Sequence, residues 1–304
     1  MKNSIKFFIC VVVAVVAFDM LFGCFADQYI KKHPLPGDYR LIDYVVNQCD
    51  EECIIVGNSL AINSLIPSII EDSLDVSCYN AGASAQHIPY VETIMKCIVD
   101  RYTPKMIIFV FGPTFLSGTG NGQRFNILIP FYQRGHEIID RNLERKDFYE
   151  PYFLHSSLYR FNRIWWRILL YHFISYSDNN DKGFVAHNKP SKFPELYPLE
   201  YKSNSKERKE CFIRCLDICK NNGIEMVCVS PPVFKTFNKG VPQTIQFIKK
   251  MCEQNNVIFI DDTQDTTYLN NAELWYDNVH FNIDGSRLYT VQFIRELKEI
   301  QKQN

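Results

Sequence analysis

Cys53-Ile54-Ile55-Val56-Gly57-Asn58-Ser59-Leu60 is the stretch from which the architecture is read. Four apolar residues make a strand buried on both faces, and Gly57-Asn58-Ser59 breaks the run before a helical pattern begins. Outward from it the same succession recurs. Apolar runs at 76–79, 106–111, 226–229 and 257–260 alternate with helical stretches over about 60–72, 86–101, 206–222 and 241–255, and a last helix follows Gly285. Continuous apolar strands separated by helices specify a parallel sheet covered on both faces, because right-handed crossovers lay a helix over each strand pair. The fold class is therefore α/β, a flavodoxin-like, doubly wound sheet of about five parallel strands. Ligands of such sheets sit at the carboxyl ends of the strands, so chemistry is sought just after each apolar run.

A chain of 304 residues with 46% hydrophobic and 22% charged content has room for one substantial α/β domain and an insertion, and is too apolar for disorder. Residues 115–205, rich in aromatics, Arg and Pro, break the alternation and read as that insertion, so the domain runs over 51–304 behind a connector at 27–50 with a short helix. The formal net charge of −1 gives no field for gathering nucleic acid, which is excluded as a partner class.

Residues 1–26 read differently. Lys2 and Lys6 precede an apolar run from Phe7 to Ala26 interrupted only by Asp19, about the length that crosses a bilayer. A very short basic N-terminus stays inside, which predicts a single-pass signal anchor in the cytoplasmic membrane with the domain outside the cytoplasm, periplasmic or extracellular. Two alternatives remain open: a signal peptide cleaved near Gly23 or Ala26, and a lipoprotein box at Leu21-Phe22-Gly23-Cys24, against which the bulky Phe22 and the acidic Asp19 both count.

Eleven cysteines in an exported chain raise the question of disulfides. Cys211, Cys215 and Cys219 recur every four residues and predict one buried helical stripe. Cys49 and Cys53 either pair or lie buried, and without a second such pair or a nearby His they predict no metal site.

At three strand ends small or polar residues converge. Ser59 follows the first strand at a helix N-terminus, where free N–H groups stabilise an oxyanion, though an ordinary capping serine needs the same position. Gly82, in Asn80-Ala81-Gly82, would bring a backbone N–H close to a substrate; a plain turn glycine is the alternative. Gly112-Pro113-Thr114 follows the third strand. Near the C-terminus, the Asp277-x-x-His280 spacing lets a carboxylate orient an imidazole from the same loop, which is what a serine nucleophile requires of its base.

In this order the set resembles the SGNH, or GDSL-like, hydrolases, over about 53–114 and 206–300. Gly57-Asn58-Ser59 is similar to the family's Gly-Asp-Ser turn with Asn58 in place of aspartate, Gly82 to its second-block glycine, and Asp277-x-x-His280 to its last block. The chain departs where the family has Gly-x-Asn, because Gly112-Pro113-Thr114 offers a hydroxyl with one donor proton and a shorter reach. The resemblance implies Ser59 as nucleophile, His280 as base, Asp277 as its orienting partner, and the N–H groups of Ser59 and Gly82 with Thr114 as oxyanion donors, with no cofactor. A single N-terminal helix ahead of such a domain further resembles envelope proteins that work beside membrane-bound O-acyltransferases or polymer D-alanylation systems. That implies an acylated carbohydrate or polymer substrate and a membrane acyltransferase partner. A catalytically weak accessory protein of the same fold is the competing reading.

Within the insertion, 158–174 as a helix would align Arg160, Arg163 and Arg167 on one side with aromatics around the rest, to pack, to act as a lid or to lie in a membrane interface. His136, His155, His172 and His187 show no ligand spacing and read as structural, as does His87, which would border the cleft.

Overall fold

The computed structural model describes residues 2–32, 38–118, 125–145, 148–162, 164–166, 170, 180–190 and 192–303. It divides into two compact units, 1–43 with 125–177, and 44–124 with 178–304.

The larger unit is built on five parallel strands: β1 (Cys53–Gly57), β2 (Cys78–Asn80), β3 (Met106–Val110), β4 (Glu225–Ser230) and β5 (Ile258–Asp261). Their spatial order is β2-β1-β3-β4-β5, the doubly wound arrangement expected from the alternation of apolar runs and helices. The chain reverses its winding direction between β1 and β3, which opens a crevice beyond their carboxyl ends. All five residues of β1 are buried, as a central strand covered on both faces requires. Gly57 closes β1 opposite Val110, and a Cβ there would overlap the Val110 carbonyl oxygen, so a side chain would wedge the two strands apart.

The helix anticipated over 60–72 is two helices, Ser59–Ser64 and Pro67–Leu74. Leu65 and Ile66 are extended between them because a residue before proline is pushed out of the helical region, and Pro67 then starts the next helix at a position that needs no N–H. Helices Ile88–Val99, Lys206–Asn221, Gln243–Asn255 and Ile283–Gln303 fall within a few residues of the patterns that predict them. Cys211, Cys215 and Cys219 form a buried stripe, and Cys49 and Cys53 are buried free thiols.

The stretch 115–205 is shared between the units. Residues 178–205 belong to the α/β unit, where Asn180–Asp181 pairs with Phe184–Val185 across a turn at Lys182 (φ 48°) and Gly183 (φ 89°), both in the left-handed region that tight hairpins demand. Residues 125–177 belong with the N-terminal helix, Lys2–Lys32. Short helices Glu137–Glu144, Glu150–Leu154 and Ser157–Phe161 gather there, and Phe22 meets Phe161 edge-on at 6.3 Å. Of the basic stripe expected over 158–174, Arg160 is described; Arg163 and Arg167, like His172, lie outside the described residues.

Candidate active site

Asn58 and Ser59 leave β1 at its carboxyl end and start the helix Ser59–Ser64. Asn58 caps it, its Oδ1 accepting the Leu60 N–H at 3.0 Å. The capping duty thus falls on Asn58, which frees the Ser59 hydroxyl. The Ser59 N–H has no acceptor among the described residues, as the first turn of a helix leaves it. The helix is pinned at several points. Asn80 Nδ2 donates to the Ala61 carbonyl at 2.7 Å, Asn63 Nδ2 to the Val185 carbonyl at 2.7 Å, and Ser286 Oγ to the Asn63 carbonyl at 2.6 Å.

The loop carrying Asp277 and His280 is held as firmly. Trp275 and Phe281 bracket it, both buried, with rings 4.4 Å apart. Asn282 closes it, donating to the Glu273 carbonyl at 2.7 Å while its Oδ1 accepts the N–H groups of Asp284 and Gly285, which start the last helix. Inside this clamp Asp277 Oδ1 accepts the N–H groups of Val279 (2.7 Å) and His280 (2.8 Å), leaving Oδ2 for the His280 ring, 2.8 Å from Nδ1. Burial raises the Asp277 carboxyl, but the ring hydrogen bond and charge of His280, with the two N–H donors, outweigh it and hold the group down at about 2. The carboxylate is therefore charged at any neutral pH and fixes Nδ1 as the protonated nitrogen. The other ring nitrogen, Nε2, lies 2.8 Å from Ser59 Oγ, so the fold closes a hydrogen-bonded relay across 221 residues of sequence.

A cleft of about 130 Å³ opens at the Ser59 end of this relay. Asn58, Ser59, Leu60, Gly112, Pro113, Thr114 and Phe115 line it beyond the ends of β1 and β3; Leu199, Val233, Lys235, Val279 and His87 complete it. Thr114 is exposed in the cleft and His87 borders it, where the sequence places them.

Gly82 departs from expectation. It is buried beneath the helix Ser59–Ser64, where a Cβ would stand 2.8 Å from Ala61 Cβ and 2.9 Å from Ile62 Cγ2, and its N–H donates to Asn80 Oδ1 at 3.1 Å. The correction has a simple cause: Asn80 folds its side chain over the backbone two residues on, an Asx turn that consumes the donor. Three residues later, Ser84 and Ala85 are exposed, Ala85 is held at φ 57°, and neither N–H meets an acceptor among the described residues. A non-glycine residue in this conformation costs on the order of 1–2 kcal/mol, so the loop stores strain beside the cleft.

Sequence reasoning also missed His187. Its ring stacks on Tyr276 (4.2 Å between centroids, 10° between planes) and lies 5.9 Å from the His280 ring, while its carbonyl accepts the Ile283 N–H. Burial and the neighbouring His280 both disfavour its charged form. A lone His in an insertion carries no spacing that would have announced it.

No protein-family profile matches the chain, and no curated protein matches it. Among solved structures it is similar to a lipase/acylhydrolase from Enterococcus faecalis (TM-score 0.40, 12% identity, covering 82% of this chain and 96% of that one). It is also similar to a mutant of Axe2, an acetyl-xylooligosaccharide esterase from Geobacillus (TM-score 0.43, 11% identity, covering 81% and 93%). Likeness at this level speaks neither to activity nor to substrate; the chemistry has to be taken from the site itself.

Proposed function

We propose that this protein is a serine-dependent esterase or O-acyltransferase of the SGNH type. The observation that carries the reading is the relay from Ser59 Oγ through the His280 ring to Asp277, with both hydrogen bonds at 2.8 Å. His280 Nε2 takes the hydroxyl proton as Ser59 Oγ attacks the ester carbonyl, and Asp277 stabilises the imidazolium. Collapse of the tetrahedral intermediate expels the alcohol, which leaves with that proton, and an acyl-Ser59 remains. Water or a sugar hydroxyl then attacks the acyl carbon, His280 accepting its proton and returning it to Ser59.

The oxyanion falls to the Ser59 N–H, the Thr114 hydroxyl and, in place of Gly82, the N–H of Ala85 on the strained loop. The N-terminal helix is long and apolar enough to span a membrane, and with Lys2 and Lys6 at its start it supports an anchored enzyme facing outward, acting on acyl esters of a cell-envelope glycan or polymer. A second reading, a catalytically weak accessory protein binding such a polymer or a membrane acyltransferase, draws on the single-donor Thr114 and the occupied Gly82 N–H.

Turnover of a chromogenic acetyl ester separates the two. The enzyme reading expects hydrolysis by the wild type that His280→Ala abolishes; folded wild-type protein without turnover of acetyl or other short acyl esters supports the accessory role.

A further inference from the structure

Asp19 interrupts the apolar run of the N-terminal helix, and the structure gives it partners. Its carboxylate accepts hydrogen bonds from Ser156 Oγ (2.7 Å) and from the N–H groups of Ser157 (3.0 Å) and Leu158 (2.7 Å), capping the helix Ser157–Phe161. The contact continues along one face. Gly23 is buried where a Cβ would overlap Ser157 Oγ, Ala26 is buried, and Asp27 pairs with Arg134 at 2.7 Å. Met20, Leu21 and Phe25, on the other face of the same turns, remain exposed and apolar.

If the helix spans a bilayer, as proposed above, this contact fixes a depth. Lys6 keeps its charge at the inner surface, and a hydrocarbon layer of about 30 Å needs about 20 residues, which carries the span to Phe25. Asp19 is thirteen residues beyond Lys6, about 20 Å along the axis, and so lies roughly 10 Å below the outer surface of the hydrocarbon. A carboxylate at that depth is costly unless its acceptors are filled, and here residues 156–158 fill them. They must be at the same depth.

We infer that the part of the insertion around residues 148–166 is seated in the outer leaflet, as a collar around the anchor held at its depth by Asp19. The surface composition agrees. Phe148, Tyr149, Tyr152, Phe153, Trp165 and Trp166, all exposed, flank the segment that grips Asp19, and Tyr, Trp and Phe are the residues that occupy the boundary between headgroup and acyl chain. The Phe148 ring lies 5.1 Å from Tyr149 and 6.4 Å from Tyr152, so these three exposed rings form one aromatic cluster. The occupant argued for is lipid because residues 156–158, which these aromatics flank in sequence, are hydrogen-bonded to Asp19 of a helix whose own solvent is lipid.

The chain has three tryptophans, two in the collar and Trp275, which is fully buried in the α/β core. Full-length protein in phosphatidylcholine vesicles, with or without bromine on the acyl chains, reports the depth by fluorescence. The wild type should lose about half its emission to the brominated lipid, as rings within the acyl boundary do, and Trp165→Phe/Trp166→Phe should abolish that loss. Asp19→Ala should reduce the quenching while the protein still resists extraction by alkaline carbonate. Unquenched wild-type protein that resists carbonate overturns the collar and would leave the patch to a protein partner or a second copy. Quenching unchanged in Asp19→Ala contradicts the role given to that carboxylate. Protein that carbonate extracts refutes the spanning reading itself, and the collar with it.

Discussion

Two short helices in this chain begin with serine and use their first N–H groups in opposite ways. In Ser59–Ser64 the cap is a neighbour, Asn58; the Ser59 N–H has no acceptor among the described residues, and the hydroxyl is hydrogen-bonded to the His280 ring. In Ser157–Phe161 the hydroxyl of Ser156 and the first two N–H groups all turn to Asp19, 137 to 139 residues earlier. An N-terminus left unfilled beside a base is equipped to hold a transient charge; one filled by a permanent carboxylate is a structural joint. Serine at a helix start therefore says nothing by itself. Which groups remain open, and what they face, decides between reaction and assembly.

The largest effect should come from breaking the open terminus at its base. His280→Ala removes the group proposed to accept the Ser59 proton, and acetyl-ester turnover should fall by about 10⁴-fold or more. Asp277→Asn keeps the shape but allows the wrong tautomer, and a loss of about 10⁴-fold in kcat is expected. The same variant has a signature in stability. The wild-type carboxyl is held at about 2, below its ordinary 3.8, so its contribution is fully present above pH 3.8 and disappears as the pH falls through 2. Acid titration of Tm should show that component in the wild type and not in Asp277→Asn.

Thr114 offers a smaller test. Loss of its hydroxyl in Thr114→Ala should lower kcat by about 10²-fold if it serves as an oxyanion donor, while Thr114→Asn, which supplies two donor protons, should match or exceed the wild type. The closed terminus gives the smallest effect. Asp19→Ala should destabilise the unit formed by the N-terminal helix and residues 125–177 by about 2 kcal/mol, the upper end for a lost helix cap, seen as earlier proteolysis of the insertion. The same joint bears on processing. Cleavage near Gly23 or Ala26 would remove Asp19, so protein recovered from membranes should retain its first 26 residues by intact mass.

Much of the open terminus was legible in the sequence because its signals are regular. Apolar runs and helical periods mark the strands, the strand-end rule points to Ser59 and Thr114, and the three-residue interval between Asp277 and His280 is itself the geometry of the pair. Gly82 misled because a glycine near a strand end carries no mark of whether its N–H is free; the Asn80 side chain that takes it is an equally common feature of turns. The break at Ile66 was visible in Pro67 and overlooked under the stronger helical pattern. Asp19 and His187 were beyond sequence reasoning for one reason: their partners are fixed by tertiary contact in an insertion with no period, and a single charged or aromatic residue holds no record of what it will meet.

Covalent labelling with a fluorophosphonate tests most directly whether Ser59 is a nucleophile. One equivalent of probe should attach to the wild type on the peptide containing Ser59, and none to a folded Ser59→Ala protein. Label that survives in Ser59→Ala, or a folded wild type that takes up no label, would contradict it.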